Sequence, residues 1–243
     1  ILYTHAPRTF APEGRDVASQ KADYAPAFIS QAWLRYIEVH RYEPFFLYFA
    51  MNIPHANNEA GGDVRAGKNG MEVPDHGPFA QKEWPDQEKG FARMIEIIDS
   101  DVGRILDRLD ELGLAQNTLV LFSSDNGPHQ EGGHKMNYFD SNGPLRGMKR
   151  DLYEGGIRVP LIVQWPGHIR PGLESDHISG FQDILPTLAE IAGKGVADTD
   201  GISFVPTLLG DGGQQKKHPQ LYWEFYEQGG KRAMRKGFWK AVQ

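Results

Sequence analysis

The sequence predicts an α/β protein with a parallel sheet, followed by the start of a small antiparallel subdomain. Three short, unbroken apolar runs alternate with helical patterns, and such runs are typical of strands that are covered on both faces. Beyond Gly201 the pattern changes to alternating segments around glycines, which indicates antiparallel strands. We therefore expect an α/β domain over residues 1–200 and the beginning of the small subdomain over residues 201–243.

The first quarter of the chain predicts a loop, a helix, a strand and a second loop. Residues 1–24 are polar and interrupted by prolines, whereas residues 25–42 carry apolar side chains at helical spacing. The apolar run at residues 45–50 predicts the first buried strand. Residues 52–88 are rich in Asn, Gly, Pro and Asp, and an irregular loop of this length is usually functional.

The middle of the chain carries the clearest helical pattern. An apolar stripe at helical spacing runs through residues 91–112, and Gly113 stands where a C-terminal cap is expected. The runs at residues 118–122 and 160–165 predict the second and third buried strands. Residues 184–192 predict a short helix, which completes the α/β alternation.

The last forty residues predict the small subdomain. Residues 221–225 and 238–242 alternate between apolar and polar side chains and flank a region that contains Gly229 and Gly230. This arrangement predicts two antiparallel strands.

Composition limits the classes of function. The chain has 243 residues and a formal net charge of -6, which argues against a nucleic-acid binder but not against a small anionic substrate. The absence of cysteine excludes disulfides, zinc–thiolate sites and thiol catalysis in this chain. No apolar run approaches the roughly 20 residues that span a membrane. Because the chain begins at Ile1 in mid-pattern, we expect the natural N-terminus and any targeting signal to lie outside this sequence.

Asp125 and Asn126 follow the second predicted strand, at the end where open α/β sheets place their sites. A carboxylate and an amide oxygen are hard ligands that suit calcium or magnesium. Two ligands do not complete a metal site, and Asp-Asn-Gly is equally typical of a tight turn after a strand.

Other candidates lie in neighbouring loops. His55 follows the first predicted strand, where it would protonate a leaving oxygen or remain an ordinary surface histidine. Lys149 and Arg150 form a cationic cluster that suits a tetrahedral oxyanion, although such pairs are often merely solvated. His129 and His134 flank two glycines and fit a substrate pocket or a loop surface equally well.

Several blocks of the sequence closely resemble the formylglycine-dependent sulfatase family. The resemblance covers the chain from about Ala25 to its end. Its blocks are Pro44 to His55, Asp99 with Val102 and Gly103, Leu112 to Gly127, Leu145 to Pro160, Asp176 to Thr187, and Asp200 to Ser203.

The resemblance implies an alkaline-phosphatase-like fold, in which a mixed, largely parallel sheet lies between helices and a small C-terminal sheet follows. It implies hydrolysis of sulfate esters by a hydrated formylglycine, made from Cys or Ser in a Cys/Ser-x-Pro-x-Arg motif, with the help of calcium. Asp125 and Asn126 resemble the calcium-binding pair. Lys149 resembles the lysine that holds the sulfate, and His55 resembles the histidine that contacts it and assists the leaving group.

The sequence departs from the family pattern at the nucleophile. It contains neither a cysteine nor a Ser-x-Pro-x-Arg motif, and the acidic metal ligands expected near the N-terminus are absent. We therefore expect residues 1–200 to be the C-terminal portion of a catalytic domain and the isolated chain to be inactive. The resemblance also implies a periplasmic or secreted location.

Two alternatives remain open, as does the oligomeric state. Phosphodiesterases and phosphonate hydrolases share the fold and its metal chemistry, and a non-catalytic glycan-binding derivative would need no nucleophile. The polar loop at residues 129–143 favours a sulfated carbohydrate or a sulfated small molecule as the substrate, with His129, His134 and Arg150 as the substrate contacts.

Overall fold

The computed structural model describes residues 24–58 and 69–243, which form two compact units. Within the described part of the chain, the first unit extends to Leu114 and includes Gln130–Tyr138, and the second comprises Ala115–His129 and Phe139–Gln243. The predicted loop at residues 1–23 and the central part of the predicted loop at residues 52–88 lie outside the described residues. The predicted division at residue 200 stays a prediction.

Two α-helices are the main elements among the described residues of the first unit. Helix α1 spans Ala25–Val39 and helix α2 spans Asp86–Glu111, so both predicted helices are confirmed. Trp33 and Ile37 lie one turn apart on α1 and are almost fully buried. Burying two such side chains contributes about 2–3 kcal/mol each relative to leaving them in water. Phe28, which the helical pattern also places on the apolar face, is instead exposed.

A polar cluster joins the two helices. The hydroxyl of Ser30 donates to Oδ1 of the buried Asp101 at 2.7 Å, and Nη1 of Arg104 donates to the same oxygen at 3.0 Å. Near the other end of α1, Nη2 of Arg108 lies 2.5 Å from Oε1 of Glu38. The buried carboxylate of Asp101 therefore has the partners that it requires.

The end of α2 is set by Gly113. This glycine has a φ of 68°, in the left-handed region. The N–H of Leu114 donates to the carbonyl of Leu109 at 2.8 Å, and the N–H of Gly113 donates to that of Asp110 at 2.9 Å. These two bonds define a Schellman cap, as the position of the glycine predicts.

The predicted strand at residues 45–50 does not form. The segment has no regular secondary structure, its side chains alternate between half-buried and exposed, and Phe46 is 70% exposed. A strand requires a neighbour with which to exchange backbone hydrogen bonds. No segment among residues 24–58 and 69–243 pairs with this one. The prediction failed because an apolar run indicates burial but does not specify a pairing partner.

The second unit contains the other two predicted strands. Strand β1, Val120–Ser123, pairs with strand β2, Leu161–Gln164, so that Val120 lies opposite Gln164. The sequence pattern predicts parallel strands, whereas these two strands pair antiparallel. The connection between the strands contains a 3₁₀ turn at Met136–Tyr138 and the one-turn helix α3, Glu154–Ile157, rather than the crossover helix of a parallel unit.

The rest of the second unit ends in an antiparallel sheet. In chain order its elements are α4 (Ile184–Ile191), α5 (Val205–Leu208), β3 (Leu221–Phe225), β4 (Lys231–Lys236) and β5 (Trp239–Val242). The predicted helix and both predicted terminal strands are confirmed. However, those strands do not pair with each other, because β4 lies between them. Its sequence, Lys-Arg-Ala-Met-Arg-Lys, gave no strand signal.

A buried aspartate holds the middle of the second unit together. The side chain of Asp183 accepts hydrogen bonds from the N–H of Ile202 at 2.7 Å, from Nε2 of His218 at 2.8 Å and from the N–H of Gly180 at 2.8 Å. The hydroxyl of Thr187 donates to the carbonyl of Asp183 at 2.6 Å. A fully buried carboxylate with this many donors fixes the start of α4.

None of the helices in the described part of the chain is long and apolar enough to cross a bilayer.

Candidate active site

Asp125 and Asn126 lie in a bend immediately beyond the C-terminal end of β1, where the sequence places them. The hydroxyl of Ser124 donates to the carbonyl of Asn126 at 2.9 Å and shapes this bend. The carboxylate of Asp125 is exposed. The bend thus presents a carboxylate beside a carboxamide, and these oxygen donors are the kind that calcium prefers.

The loop that carries Lys149 is joined to this bend through the backbone. The N–H of Lys149 donates to the carbonyl of Pro128 at 2.8 Å, and the N–H of Gly127 donates to the carbonyl of Gly156 at 2.9 Å. Lys149 is itself half-buried. The structure therefore brings the Asp125–Asn126 pair and the Lys149 loop together within the second unit.

Two glycines allow this close approach. A Cβ atom at Gly127 would overlap the carbonyl oxygen of Gly155, and a Cβ atom at Gly155 would overlap that of Gly147. The N–H of Gly155 also donates to the carbonyl of Arg146 at 2.7 Å. The segments Asp-Asn-Gly and Glu-Gly-Gly thus pack against each other through their backbones.

The cations near Lys149 already have partners in the second unit. The guanidinium of Arg146 lies 3.8 Å from the centre of the Tyr153 ring, and Nε of Arg150 lies 3.6 Å from Oε2 of Glu227. The backbone of Arg150 has a φ of 75°, which is uncommon for a residue with a side chain.

His55 belongs to the first unit and is about half exposed. Its Nδ1 lies 2.7 Å from the carbonyl oxygen of Ala56 and donates to it, since a carbonyl can only accept. Its Nε2 lies 3.5 Å from Oε2 of Glu131. The ring is therefore oriented by the backbone on one side and faces a carboxylate on the other.

His134 is held inside the first unit. Its Nδ1 lies 2.5 Å from Oε2 of Glu88, and its ring stacks on that of Phe91 with the centroids 3.8 Å apart. The N–H of Lys135 donates to the other oxygen of Glu88 at 2.9 Å. His134 is 2% exposed, and an imidazole packed in this way holds its loop in place.

The structure gives unequal support to the three predicted substrate contacts. His129, in the second unit, is also largely buried, whereas the Arg150 side chain is 36% exposed. Within the described ranges, no three acidic or imidazole groups converge as a metal site would require. Asp125 and Asn126 alone therefore do not complete a metal site within the described residues.

The partners of these residues were not predictable from the sequence. Glu88 lies 46 positions from His134, and nothing in the charged first turn of α2 marks it as a partner. For Glu131, the partner of His55, the only indication in the sequence is its place in a polar loop. Lys231, which contacts Asp151 in the Lys149 loop, is 80 positions from it and stands in β4, a segment that gave no strand signal.

Solved structures share this fold and give the class of protein. The chain superposes on Ps i-CgsB in complex with k-i-k-neocarrahexaose with a TM-score of 0.74 and 26% identity, covering 91% of this chain and 46% of that one. It superposes on the phosphonate monoester hydrolase SpPMH from Silicibacter pomeroyi with a TM-score of 0.63 and 17% identity, covering 90% and 51%. The fold is the mixed α/β, alkaline-phosphatase-like architecture that the family resemblance implies.

Sequence comparison then gives the family. The family model described as Sulfatase matches residues 9–194, and the chain belongs to that family. Arylsulfatase A of Bos taurus is 34% identical over 206 residues, which cover 83% of this chain and 36% of that protein. The chain thus spans about a third of the length of this relative. The resemblance inferred from the sequence blocks is confirmed.

Proposed function

We propose that the whole protein hydrolyses sulfate esters and that Lys149 holds the sulfate group. The observation that carries this proposal is the pair of backbone hydrogen bonds that fixes the Lys149 loop against the Asp125–Asn126 bend. An ammonium group beside a cation site suits an oxyanion whose negative charge grows in the transition state.

We propose that Asp125 and Asn126 hold a calcium ion together with ligands from outside this sequence. The donor set fits, because both side chains offer hard oxygen atoms from one bend. A bound calcium would supply Lewis-acid polarisation of the sulfate oxygens. The contribution of this chain is to fix the direction of both oxygen donors through the bend at Ser124.

We propose that His55 donates a proton from Nε2 to the oxygen of the leaving alcohol. Because Nδ1 donates to the carbonyl of Ala56, we assign the transfer to Nε2. Oε2 of Glu131 lies 3.5 Å from the same nitrogen, so the ring is held from both sides. When the sulfate–oxygen bond breaks, its electrons stay on the alcohol oxygen, which accepts the proton.

The proposed nucleophile lies outside this sequence. The chain has no cysteine and no Ser-x-Pro-x-Arg motif from which a formylglycine could be made. Residues 1–243 alone are therefore expected to leave sulfate esters intact, and turnover by the purified fragment would contradict this part of the proposal.

The Lys149→Ala variant of the full-length protein tests the central assignment. We expect kcat/KM for an aryl sulfate to fall about 10²–10³-fold, which is typical for the loss of one donor to a developing oxyanion. The matched control is Lys194, which is exposed and lies just beyond α4. Lys194→Ala should leave turnover unchanged. If Lys149→Ala remains within twofold of the unmodified enzyme, Lys149 does not hold the sulfate.

A second candidate function is hydrolysis of phosphonate or phosphate esters, since SpPMH shares the fold. Turnover of matched aryl sulfate, aryl phosphate and aryl phosphonate esters by the full-length protein separates these activities. A faster reaction with the phosphorus esters would favour the second candidate. Binding of a sulfated glycan without turnover of any ester would favour a non-catalytic derivative.

We propose a sulfated carbohydrate as the substrate, handled outside the cytoplasm in a periplasmic or secreted setting. The support is the polarity of residues 129–143 and the structural similarity to Ps i-CgsB, which was solved with k-i-k-neocarrahexaose. Arg150 and His129 stay proposed substrate contacts, whereas His134 would first have to leave its packing against Phe91. Release of inorganic sulfate from sulfated oligosaccharides, compared with an aryl sulfate, tests this substrate class.

A further inference from the structure

The C-terminal sheet contacts the Lys149 loop through Lys231, at the start of β4. Its Nζ donates to the carbonyl oxygen of Arg150 at 2.9 Å and to Oδ1 of Asp151 at 3.0 Å. Arg150 is the residue with the left-handed φ of 75°. Lys231 therefore binds the loop at Arg150, where the loop backbone adopts a conformation that is uncommon for a residue with a side chain.

A second contact lies at the first residue of α3. Glu154 accepts hydrogen bonds from Nζ of Lys240 on β5 at 2.6 Å and from Nη1 of Arg235 on β4 at 3.3 Å. The Lys240 side chain is only 13% exposed, so this pair is shielded from most of the solvent. Arg235 and Lys240 lie opposite each other in the register of β4 and β5.

Both contacts lie on the C-terminal side of Lys149 in the sequence, and further hydrogen bonds connect them to the residues that precede it. Asp151, which Lys231 binds, also accepts from the N–H of Met148 at 3.1 Å through its other oxygen. Glu154 is followed by Gly155, whose N–H donates to the carbonyl of Arg146 at 2.7 Å. The backbone on both sides of Lys149 is therefore connected to the cations of the sheet.

These cations occupy one face of the sheet only. Lys231 and Arg235 share the face of the buried Ala233, in keeping with the two-residue period of a strand. Arg232 points to the other face and pairs with Glu224 of β3, with Nε 3.2 Å from Oε1. One strand thus supplies both the residues that contact the loop and a natural control that does not.

We infer that Lys231, Arg235 and Lys240 are positioning residues, by which the C-terminal sheet sets the direction of Lys149 towards the sulfate. This inference rests on the proposed function of Lys149. These contacts fix the geometry of the loop that carries Lys149. Small displacements of a group that contacts the reacting atoms cause large losses of rate.

The experiment compares Lys231→Met and Lys240→Met with Arg232→Met in the full-length enzyme. We expect kcat/KM for an aryl sulfate to fall about 10- to 100-fold in the first two variants, by analogy with other small misplacements. Inhibition by inorganic sulfate should weaken in parallel, because the same lysine binds it. Arg232→Met should retain full activity. Lys231→Arg keeps a donor at the same place and should recover much of the loss.

A double-mutant cycle tests whether Lys231 acts through Lys149. In a Lys149→Ala background, Lys231→Met should cause no further loss, since the group that it positions is absent. An equal loss in both backgrounds would overturn the inference. If Lys231→Met fails to fold, Glu154→Gln, which keeps the shape of the side chain, replaces it in the cycle.

The outcomes separate this inference from the proposed function. If Lys149→Ala abolishes turnover while Lys231→Met and Lys240→Met behave like Arg232→Met, the proposed function stands and the positioning role is wrong. If Lys149→Ala leaves turnover intact, Lys149 does not hold the sulfate, and the positioning role fails with that assignment.

Discussion

Gly127 shows at the level of one residue how the candidate site depends on backbone contact. A methyl group at this position would overlap the carbonyl oxygen of Gly155. The backbone segments of Gly127 and Gly155 cannot move apart without breaking the hydrogen bond from the N–H of Gly127 to the carbonyl of Gly156. We expect Gly127→Ala to lower the free energy of unfolding by about 1–3 kcal/mol, as overpacking does. In the full-length enzyme it should also lower aryl sulfate turnover, because the Asp125 bend and the Lys149 loop would move apart.

Gly195 is the control for this substitution. A Cβ atom there meets nothing within 4 Å, so Gly195→Ala should change neither the urea midpoint of unfolding nor turnover. Unfolding in urea and turnover of an aryl sulfate are measured for both variants. If Gly127→Ala resembles Gly195→Ala in both measurements, the close contact between the two backbones is not needed.

Gly103 inside helix α2 and Gly113 just beyond its C-terminal end should respond in opposite directions to replacement by alanine. Gly113 has a φ of 68°, whereas Gly103 lies inside the helix, and neither Cβ would meet another atom within 4 Å. Gly113→Ala should therefore destabilise the protein by about 1 kcal/mol through backbone strain alone. Gly103→Ala should stabilise it by about 0.5–1 kcal/mol, since alanine loses less conformational entropy in a helix.

Urea unfolding of the two variants provides the measurement, and each serves as the control for the other. Because the chemical change is identical, a difference in sign isolates the backbone conformation. A shift of the same sign for both would mean that Gly113 does not adopt the left-handed conformation in solution.

The elements also show what a single sequence can and cannot predict. Helix α2 was predictable, because its apolar stripe and its cap glycine are local signals. Strand β4 was not, since Lys231 and Arg235 pair with carboxylates about 80 positions away, and in the sequence their segment therefore resembles a solvated one. The run at residues 45–50 gave the opposite error, because apolar content indicates burial but not which strand will pair with it.

The candidate site divides in the same way. The positions of Asp125, Asn126 and Lys149 followed from motifs at strand ends and from family resemblance. The contacts that hold them could not be predicted, since glycine gives no indication of which backbone it approaches. The antiparallel pairing of β1 with β2 was likewise hidden, because a short apolar run is compatible with either direction.

At the scale of the whole molecule, the pH dependence of stability involves His177. Burial lowers the pKa of His177, the nearby Asp183 partly opposes this effect, and His218 and Lys217 lower the pKa further. Its Nε2 is enclosed and has no hydrogen-bond partner among the described residues, so a proton there would be poorly solvated. The unfolded chain, in which histidine has a pKa of about 6.5, therefore binds this proton more readily than the folded chain does.

Stability should consequently rise with pH through this group. Its contribution is complete above about pH 6.5 and is lost as the pH falls from there through the lower pKa of the folded state. We expect the urea midpoint of the protein to fall between pH 7 and pH 5, and His177→Gln to make that fall shallower, because glutamine does not titrate. At pH 8 the histidine is neutral in both states, so the difference between the two proteins at that pH measures packing alone. A difference that stays constant from pH 8 to pH 5 would show that His177 binds protons equally well in the folded and unfolded chain, and the enclosed imidazole would then have no part in acid unfolding.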